Sequence, residues 1–444
     1  MLIDFAPYHR VMAKTDPVEV TGKISRVTGL LMEGTGPHTT LGGLCEIEPQ
    51  GGATPVRAEV VGFRDRKILL MPYGESTGIG PGDRVRVVEP VGTVAVGDGL
   101  LGRIIGGFGE ALDGLGEISV GDEAPLHAEP LNPLERARIK EPLDLGIRAL
   151  NGVLTCGKGQ RLGILAGSGV GKSILLGMIA RYTRADINVI ALIGERGREV
   201  REFIEKDLGP EGLGRSVVVA VTSDQSPLLR IRAAFVATAV AEYFRDQGKS
   251  VNLMMDSVTR FAMAQREIGL AIGEPPTTKG YTPSVFALLP KLLERTGTGR
   301  GLGSITGLYT VLVEGDDMNE PIADATRAIL DGHIVLSRKL AAQDHYPAID
   351  ILSSKSRVMI DIVTEGHRKD ANRLIAALAT YRNAEDLINI GAYTRGSSGK
   401  IDEAIEKYPA IQAYLRQEIT ERVSLEASTA ALKSIFADGS EGEP

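Results

Sequence analysis

The chain has 444 residues and an ordinary globular composition, with 43% hydrophobic and 24% charged residues. That length predicts roughly two to four domains and a sizeable core. A net charge of −7 argues against a protein whose whole surface binds nucleic acid. The two distant cysteines, Cys45 and Cys156, give neither a disulfide framework nor metal-ligand spacing, as expected in a reducing cytosol.

The sequence contains no recognisable targeting or membrane-spanning segment. Its first ten residues, MLIDFAPYHR, lack the basic region and the apolar region of a signal peptide. No apolar run approaches the ~20 residues that a membrane-spanning helix needs. Any membrane association is therefore expected to be peripheral or through partners.

Residues from about 15 to 90 predict a small all-β domain. Turn signals rich in glycine and proline separate short alternating runs at residues 18–20, 57–61, 67–70 and 84–88. Short strands of this kind are typical of a closed barrel. A barrel that binds oligonucleotides needs stacked aromatic residues and a basic groove, whereas this stretch has few aromatic residues and balanced charge. We expect the barrel to serve packing and assembly.

The middle of the chain predicts an α/β domain. Residues 92–142 are a connector rich in glycine and proline, which places a domain boundary near residue 90. Strand-like runs then alternate with helical stretches, clearest at 227–247 and 259–268; the runs are residues 162–166, 188–193, 217–221, 251–255 and 309–313. Such alternation predicts a mostly parallel sheet covered on both faces, with ligands at the carboxyl ends of its strands.

The end of the chain predicts helices. Apolar periodicity indicates helices at residues 367–383 and 402–423, and the acidic, Gly-rich tail 438–444 is predicted to be disordered. The predicted organisation is therefore an N-terminal β-barrel assembly domain at 1–90, a nucleotide-binding domain at 91–365 and a C-terminal helical domain at 366–444.

Residues 161–180 have the layout of a phosphate-binding P-loop. The predicted strand 162–166 ends at Ala166, which replaces the first glycine of the usual pattern, and Lys172 and Ser173 begin an apolar helix. The backbone N–H groups of the turn between them can hold phosphate; the turn consists of Gly167, Ser168, Gly169, Val170 and Gly171. Lys172 adds a charge for the β- and γ-phosphates, and the Ser173 hydroxyl can ligate Mg²⁺. The alternative is a tight strand-to-helix turn without a ligand.

Two carboxylates extend this site. Asp256 ends the apolar run 251–255, the Walker B arrangement that holds Mg²⁺ through water; the alternative is an ordinary helix cap. Glu195 follows the run 188–193, where a carboxylate can orient the attacking water, and the adjacent Arg196 can stabilise charge on the γ-phosphate. The alternative for Glu195 is an acid that interacts with a helix dipole.

Several long stretches resemble the protein-export ATPases of type III secretion, a family related to the catalytic and non-catalytic subunits of rotary ATP synthases. The stretches are GERGREVREF at 194–203, MDSVTRFA at 255–262, DGHIVLSR at 331–338, YPAID at 346–350 and SKSR at 354–357. The likeness runs from about residue 18 to about 420, and within the family the flagellar export ATPases match best. The resemblance implies an α/β fold: a RecA-like P-loop ATPase core with a small N-terminal β-barrel and a C-terminal helical domain.

The resemblance also implies a role for each matching residue. Lys172 and Ser173 would bind phosphate and Mg²⁺, Glu195 would be the catalytic carboxylate, and Asp256 the Walker B acid. Arg196 and Arg260 would support the γ-phosphate region, and Tyr346 would stack on adenine. Arg357 matches an arginine finger and follows a polar turn at 353–356, where an exposed position is expected; the alternative is a surface salt bridge.

This chain matches both the catalytic residues and the arginine finger of the related subunits. In a homo-oligomeric ring, expected to be a hexamer, each subunit could therefore supply the finger for the catalytic site of its neighbour. The acidic shaft-contacting loop of the catalytic synthase subunit is replaced here by AEDLINIGAY at 384–393, as in export ATPases. The partners that the resemblance implies are a coiled-coil stalk protein, the export gate, chaperone–substrate complexes and a regulatory stator-like dimer. The segment before Val18, which would contact that dimer, is short and only weakly amphipathic.

The predicted function is ATP hydrolysis that energises flagellar protein export, unfolding or releasing substrates and chaperones at the cytoplasmic face of the export gate. One alternative is the ATPase of a non-flagellar injectisome. Another is an RNA-translocating hexamer resembling Rho, against which the acidic balance and the aromatic-poor barrel argue. A third is a non-catalytic assembly subunit, against which Glu195 argues.

Overall fold

A computed structural model describes residue 5 and residues 20–52, 54–89 and 92–437. The first strands close into a barrel in the order β1-β2-β5-β4-β3-β6, with antiparallel neighbours. They are β1 Gly22–Thr28, β2 Leu31–Thr35, β3 Leu44–Glu48, β4 Val56–Arg64, β5 Lys67–Pro72 and β6 Arg84–Glu89. The predicted barrel is confirmed, although its first strand begins at Gly22. Val18 and Glu19 of the predicted first run, and the tail 438–444, lie outside the described residues.

The connector after the barrel contributes strands. β7 Thr93–Val96 pairs with β9 Asp122–Pro125, and β8 Ile104–Ile105 adds a parallel edge to the large sheet of the next domain. A further short pair is β10 Pro142–Leu143 with β11 Cys156–Gly157. The large sheet therefore receives its edge strand β8 from within the connector.

The barrel is fixed to this domain by aromatic and cationic side chains. The ring of Phe108 lies between two guanidinium groups, with Arg57 of β4 4.7 Å and Arg232 4.6 Å from its centroid. Tyr73, which follows β5, meets the same ring edge-on at 4.8 Å. Cation–π contacts of this kind are strongest where water is excluded, and Arg232 and Tyr73 are both buried.

The large sheet is parallel except at its margins. Its order is β19-β18-β12-β17-β15-β13-β14-β8, and β16 Gly297–Thr298 and β19 Lys355–Ser356 are the antiparallel additions. The parallel strands are β12 Arg161–Ala166, β13 Ile187–Glu195, β14 Ser216–Thr222, β15 Ser250–Asp256, β17 Ser304–Leu312 and β18 Gly332–Leu336. Each predicted run lies within or overlaps one of these strands.

Helices cover both faces. They are α1 Arg148–Val153, α2 Lys172–Tyr182, α3 Gly197–Glu202, α4 Gly209–Leu213, α5 Pro227–Asp246, α6 Val258–Ile272, α7 Pro283–Leu293, α8 Pro321–Ile329, α9 Arg338–Ala342, α10 Met359–Ile362, α11 Glu365–Asn389, α12 Gly399–Leu415 and α13 Leu425–Ile435. Within the described ranges, none is long and apolar enough to span a membrane.

Side chains that alternate along β13 build two cores. Val189 and Ala191 pack into the core that contains α5, α6 and α7. Ile190 and Leu192 point to the opposite face, into a core shared by α2, α11 and α12. Because both faces are buried, the strands read as continuous apolar runs in the sequence. The C-terminal helices therefore pack on the same side of the sheet as the helix that follows the P-loop.

The predicted helix at 402–423 is wrong at its end. Helix α12 stops at Leu415, and the backbone N–H of Gln417 donates to the carbonyl of Tyr346 at 2.9 Å. A tertiary hydrogen bond thus replaces the next helical one. A separate helix, α13, begins after Ser424, whose side chain accepts from the N–H of Ala427.

Candidate active site

The P-loop turns between β12 and α2 as the sequence predicts. Gly169 and Gly171 have φ of 77° and 87°, a region that favours glycine, and α2 begins at Lys172. Ala166 is still part of β12, fully buried, with its carbonyl accepting from the N–H of Val313 at 3.0 Å. Because the turn begins one residue later, this position does not need glycine. Val170 is also buried, so it can offer a ligand only its backbone.

Lys172 is the centre of a charge cluster at the carboxyl edge of the sheet. Its ammonium forms an ion pair with Asp256 and lies 3.6 Å from a carboxylate oxygen of Glu195. The Thr310 hydroxyl donates to Asp256 at 2.7 Å. Burial acts to lower the pKa of Lys172, but Asp256 and Glu195 together hold it above its ordinary value. The lysine therefore stays charged, as a phosphate ligand requires.

Glu195 is a mostly buried carboxylate with a perturbed pKa. Burial raises the pKa of Glu195 to about 7, Lys172 opposes that rise, and Asp256 and a hydrogen bond with Glu199 add to it. Its Oε1 atom is buried and has no hydrogen-bond partner in the part of the chain that the structure describes. A base whose pKa is near neutrality suits the abstraction of a proton from water.

Two arginines lie near Glu195, and they differ in exposure and in how firmly they are held. Arg196 is exposed and pairs with Glu199 at 3.1 Å, so in this structure it points along α3. Arg260 lies in the first turn of α6. Its side chain packs against Gly194 so closely that a Cβ added to this glycine would lie 3.1 Å from the Cβ of Arg260. Both line the cleft, but Arg260 is held close to the catalytic centre by its helix whereas Arg196 can move.

A cleft of about 850 Å³ connects these groups. The predicted residues on its wall are Gly167, Ser168, Gly169, Gly171, Lys172, Ser173, Glu195, Arg196 and Arg260. Asp256 is buried next to it in contact with Lys172. A volume of this size lies within the usual range for small-molecule sites.

Tyr346 lies beside the P-loop. Its ring packs against Gly171, because a Cβ added to this glycine would lie 3.4 Å from the ring. Tyr346 as a whole is 38% exposed. One ring face is therefore available next to the loop that would hold the phosphates. The position fits the stacking role that the resemblance implies.

Arg357 is the predicted residue that the fold does not bring into the cleft. Its backbone N–H donates to Asp331 immediately before β18, and its exposed guanidinium donates to the Arg327 carbonyl at 3.2 Å. Since β18 is parallel to β12, the start of β18 lies at the edge of the sheet opposite to the P-loop. Arg357 cannot serve the cleft of its own chain from there.

The oxygen atoms of Ser173 and Asp256 are the kind of ligand that a hard cation such as Mg²⁺ prefers. Ser173 offers a hydroxyl oxygen at the wall of the cleft, and Asp256 offers a carboxylate. Across the described ranges, no group of three or more His, Cys, Asp or Glu side chains could hold a metal alone. Mg²⁺ is usually bound by one or two protein oxygens together with water and substrate phosphates, so the residues present fit it.

Gln417 is a residue that the sequence interpretation missed. It is buried; its side-chain amide donates to the carbonyls of Gly146 at 2.9 Å and Glu421 at 2.7 Å, and its oxygen accepts from the Arg148 N–H at 2.7 Å. Together with the bond to Tyr346, it connects the segment beside the P-loop to the end of α12. No local pattern marks such a residue, because all its partners except Glu421 are distant in sequence.

Family models match three successive parts of the chain. The ATP synthase alpha/beta family matches with its beta-barrel domain at 24–88 and its nucleotide-binding domain at 146–356. The T3SS EscN ATPase C-terminal domain matches at 363–434. The last match is specific to protein export, which the first two are not.

Curated relatives extend this likeness over nearly the whole chain. The flagellum-specific ATP synthase of Bacillus subtilis is 58% identical over 424 residues, covering 95% of this chain and 96% of the relative. The chain belongs to the type III export ATPases. It is an ATPase, and the resemblance read from its motifs is confirmed. The type 3 secretion system ATPase of Xanthomonas euvesicatoria is 50% identical over 417 residues, covering 94% of each chain.

Solved structures confirm the fold of this export ATPase. The assembled ATPase EscN of the enteropathogenic E. coli type III secretion system matches with a TM-score of 0.88 and 46% identity. The match covers 93% of this chain and 99% of EscN. EscN has also been solved in complex with its central stalk EscO, and that structure matches with a TM-score of 0.86. The RecA-like core with a barrel and a C-terminal domain is therefore correct.

Proposed function

We propose that this ATPase hydrolyses MgATP at the interfaces of a homo-oligomeric ring and thereby energises flagellar protein export. The observation that carries the proposal is the contact of Lys172 with both Asp256 and Glu195 at the carboxyl edge of a parallel sheet. That arrangement combines a phosphate ligand, a metal-side carboxylate and a base in one cleft. A nucleotide-binding subunit without hydrolysis would not need the base.

Each residue has a distinct role in the proposed reaction. The P-loop N–H groups and Lys172 bind the β- and γ-phosphates, and Tyr346 stacks on adenine. Ser173 and Asp256 would hold Mg²⁺, which when bound would neutralise phosphate charge. Glu195 orients the attacking water and accepts its proton, with the Lys172 ammonium 3.6 Å from its Oε1 atom. Arg196 and Arg260 stabilise the negative charge that spreads over the γ-phosphate in the transition state.

The ring follows from the position of Arg357. The finger lies at the sheet edge opposite to the P-loop of its own chain and is exposed, so it can reach only the cleft of another subunit. An arginine finger is worth roughly 10³–10⁵ in rate in other NTPases. A closed ring, expected to be a hexamer, gives every cleft one finger. The assembled state of EscN supports this reading.

The same family suggests location and partners. We place the ring in the cytoplasm at the inner face of the membrane, held there by other proteins. By analogy with EscN and its central stalk EscO, a coiled-coil stalk protein would enter the ring. A stator-like dimer, the export gate and chaperone–substrate complexes complete the proposed set. The domain limits at residues 90 and 365 also remain a prediction.

The export system could be flagellar or an injectisome. Flagellum-specific relatives reach 58%, while secretion-system ATPases reach 50% and 48% among the relatives compared. The higher identity to flagellum-specific relatives favours the flagellar system. The family assignment favours both export systems over a Rho-like RNA motor. Neighbouring genes test the choice: flagellar basal-body genes would support the proposal, and needle-complex genes would contradict it.

The substitution Glu195→Gln tests the proposed chemistry. It keeps the shape of the side chain but removes the base, so ATP should still bind while turnover falls about 10²–10⁴-fold. Glu205→Gln is the control, because Glu205 is exposed and pairs with Arg201 outside the cleft. Nucleotide binding and phosphate production are measured on both. Turnover near the wild-type level in Glu195→Gln would rule out Glu195 as the base.

A further inference from the structure

The carboxylate of Asp256 is held by a hydroxyl as well as by Lys172. The Lys172 ammonium forms its ion pair with the Oδ1 atom of Asp256, and the Thr310 hydroxyl lies 2.7 Å from the same atom. The Thr310 oxygen is also 3.3 Å from the carbonyl of Met255. A hydroxyl carries one proton, and the charged carboxylate is the nearer acceptor, so Thr310 donates to Asp256.

Strand pairing places Thr310 next to Asp256. Met255 is in register with Tyr309 across the parallel pair of β15 and β17, so the next residues of the two strands, Asp256 and Thr310, lie side by side. Both are buried, with Thr310 0% and Asp256 4% exposed. Bulk water therefore does not compete with the Thr310 hydroxyl, and the hydrogen bond is stronger than it would be at the surface.

The two groups that hold Asp256 differ in what happens to them when nucleotide binds. In the proposed function, the Lys172 ammonium moves from Asp256 to the β- and γ-phosphates. The Thr310 hydroxyl belongs to the middle of the sheet, and its position does not depend on nucleotide. Thr310 is therefore a donor that stays on the buried Asp256 carboxylate after Lys172 has left it.

We propose that Thr310 is a positioning residue that fixes the Asp256 carboxylate for Mg²⁺ once Lys172 has moved to the phosphates. The inference rests on the proposed function, in which Asp256 is a metal-side carboxylate. A hydrogen bond from a rigid strand to Oδ1 restricts the orientations of the whole carboxylate group. Loss of a partner that orients a metal ligand typically costs about 10–100-fold in metal affinity.

Binding of N-methylanthraniloyl-ADP to the full-length protein, followed by fluorescence in Mg²⁺ and in EDTA, tests this role without turnover. The measured quantity is the dissociation constant in EDTA divided by that in Mg²⁺, a ratio that cancels any weakening common to both conditions. Thr310→Val keeps the shape of the side chain but removes the donor, so the ratio should fall at least about tenfold. Thr310→Ser restores the hydroxyl and should keep the ratio near that of wild type.

Thr306→Val is the matched control. Thr306 is equally buried on the same strand, and its hydroxyl accepts from the N–H of Gly159 at 2.9 Å. Because β17 is parallel to β12, this contact lies at the edge of the sheet opposite to the P-loop. The substitution removes a buried hydrogen bond without affecting Asp256, so the ratio should remain that of wild type.

An unchanged ratio in Thr310→Val would overturn the proposal, even if the variant unfolds at a lower temperature, because the hydroxyl would then contribute only to stability. A ratio as low in Thr310→Ser or in Thr306→Val as in Thr310→Val would overturn it too. Should valine prevent folding, Thr310→Ala removes the same donor and gives the same test. A wild-type protein that binds the analogue but hydrolyses no ATP would contradict the proposed function alone.

Discussion

Glu195 is mostly buried next to Lys172, and in the proposed reaction its protonation state controls whether water can be activated. Its pKa is raised to about 7, and a base must be ionised to accept a proton. We therefore expect kcat/KM for ATP to rise with pH through about 7 and to fall about tenfold per unit below it. A pH series of steady-state rates measures this. A profile that is flat from pH 6 to 8 would contradict the role of Glu195.

Substitution of Glu199 tests whether Glu195 is the group whose ionisation gives the pH dependence of kcat/KM. The hydrogen bond between Glu199 and Glu195 contributes to the raised pKa of Glu195. Glu199→Gln should therefore move the midpoint of the pH profile to a lower pH, because the carboxylate of Glu195 then ionises more readily. An unchanged midpoint would assign the titration to the nucleotide or to another residue.

At the scale of single residues, the sequence predicts which side chains come together because motifs are local. Lys172, Ser173 and Glu195 follow strands whose apolar runs are legible, and the parallel sheet brings their ends together. Thr310 was not predicted. Its hydroxyl meets Asp256 only because β15 and β17 are neighbours, and strand order cannot be read from a run of apolar residues.

At the scale of elements, Gln417 connects the end of α12 to the Tyr346 segment beside the P-loop. Gln417→Ala would leave buried partners without hydrogen bonds, including the N–H of Arg148, at a cost of about 1–3 kcal/mol in unfolding free energy. The segment at Tyr346 should become less ordered, so KM for ATP should rise several-fold while kcat changes less. Steady-state kinetics and thermal unfolding measure both effects.

Gln247→Ala provides the comparison for that prediction. Gln247 is exposed at the end of α5 and lies outside the cleft. Its substitution should therefore leave both KM and the free energy of unfolding near the wild-type values. If Gln417→Ala behaved like this control, the connection between α12 and Tyr346 would have no effect on nucleotide binding.

The same contact explains why one helix boundary was mispredicted. Apolar periodicity continues past residue 415, so the sequence predicts a helix to 423. The backbone of Gln417 instead bonds to Tyr346, more than 70 residues away in the chain. The helices predicted at 227–247 and 259–268 lie close to α5 and α6, and α5 begins at the local capping signal of Ser226. Helix α11 begins after Thr364 but runs to Asn389, six residues beyond its predicted end, and α7 to α10 were not predicted individually.

At the scale of the whole molecule, the proposed function requires that one chain holds two halves of different sites. The cleft with Lys172 and Glu195 lies at one edge of the sheet, and Arg357 lies at the other. The sequence predicts both positions but not their separation, which depends on the direction of β18. The central claim is therefore that hydrolysis requires a finger from a neighbouring subunit.

Mixing two inactive variants tests that claim most directly. Lys172→Ala removes the phosphate ligand but keeps the finger, and Arg357→Ala keeps the cleft but removes the finger. Each alone should lose about 10³-fold or more in turnover. Mixed rings should regain activity, because the cleft of an Arg357→Ala subunit can receive Arg357 from a Lys172→Ala neighbour. A double variant mixed with Arg357→Ala should restore none. If the two single variants stay inactive at every mixing ratio, or if Arg357→Ala alone remains fully active, the shared site is contradicted.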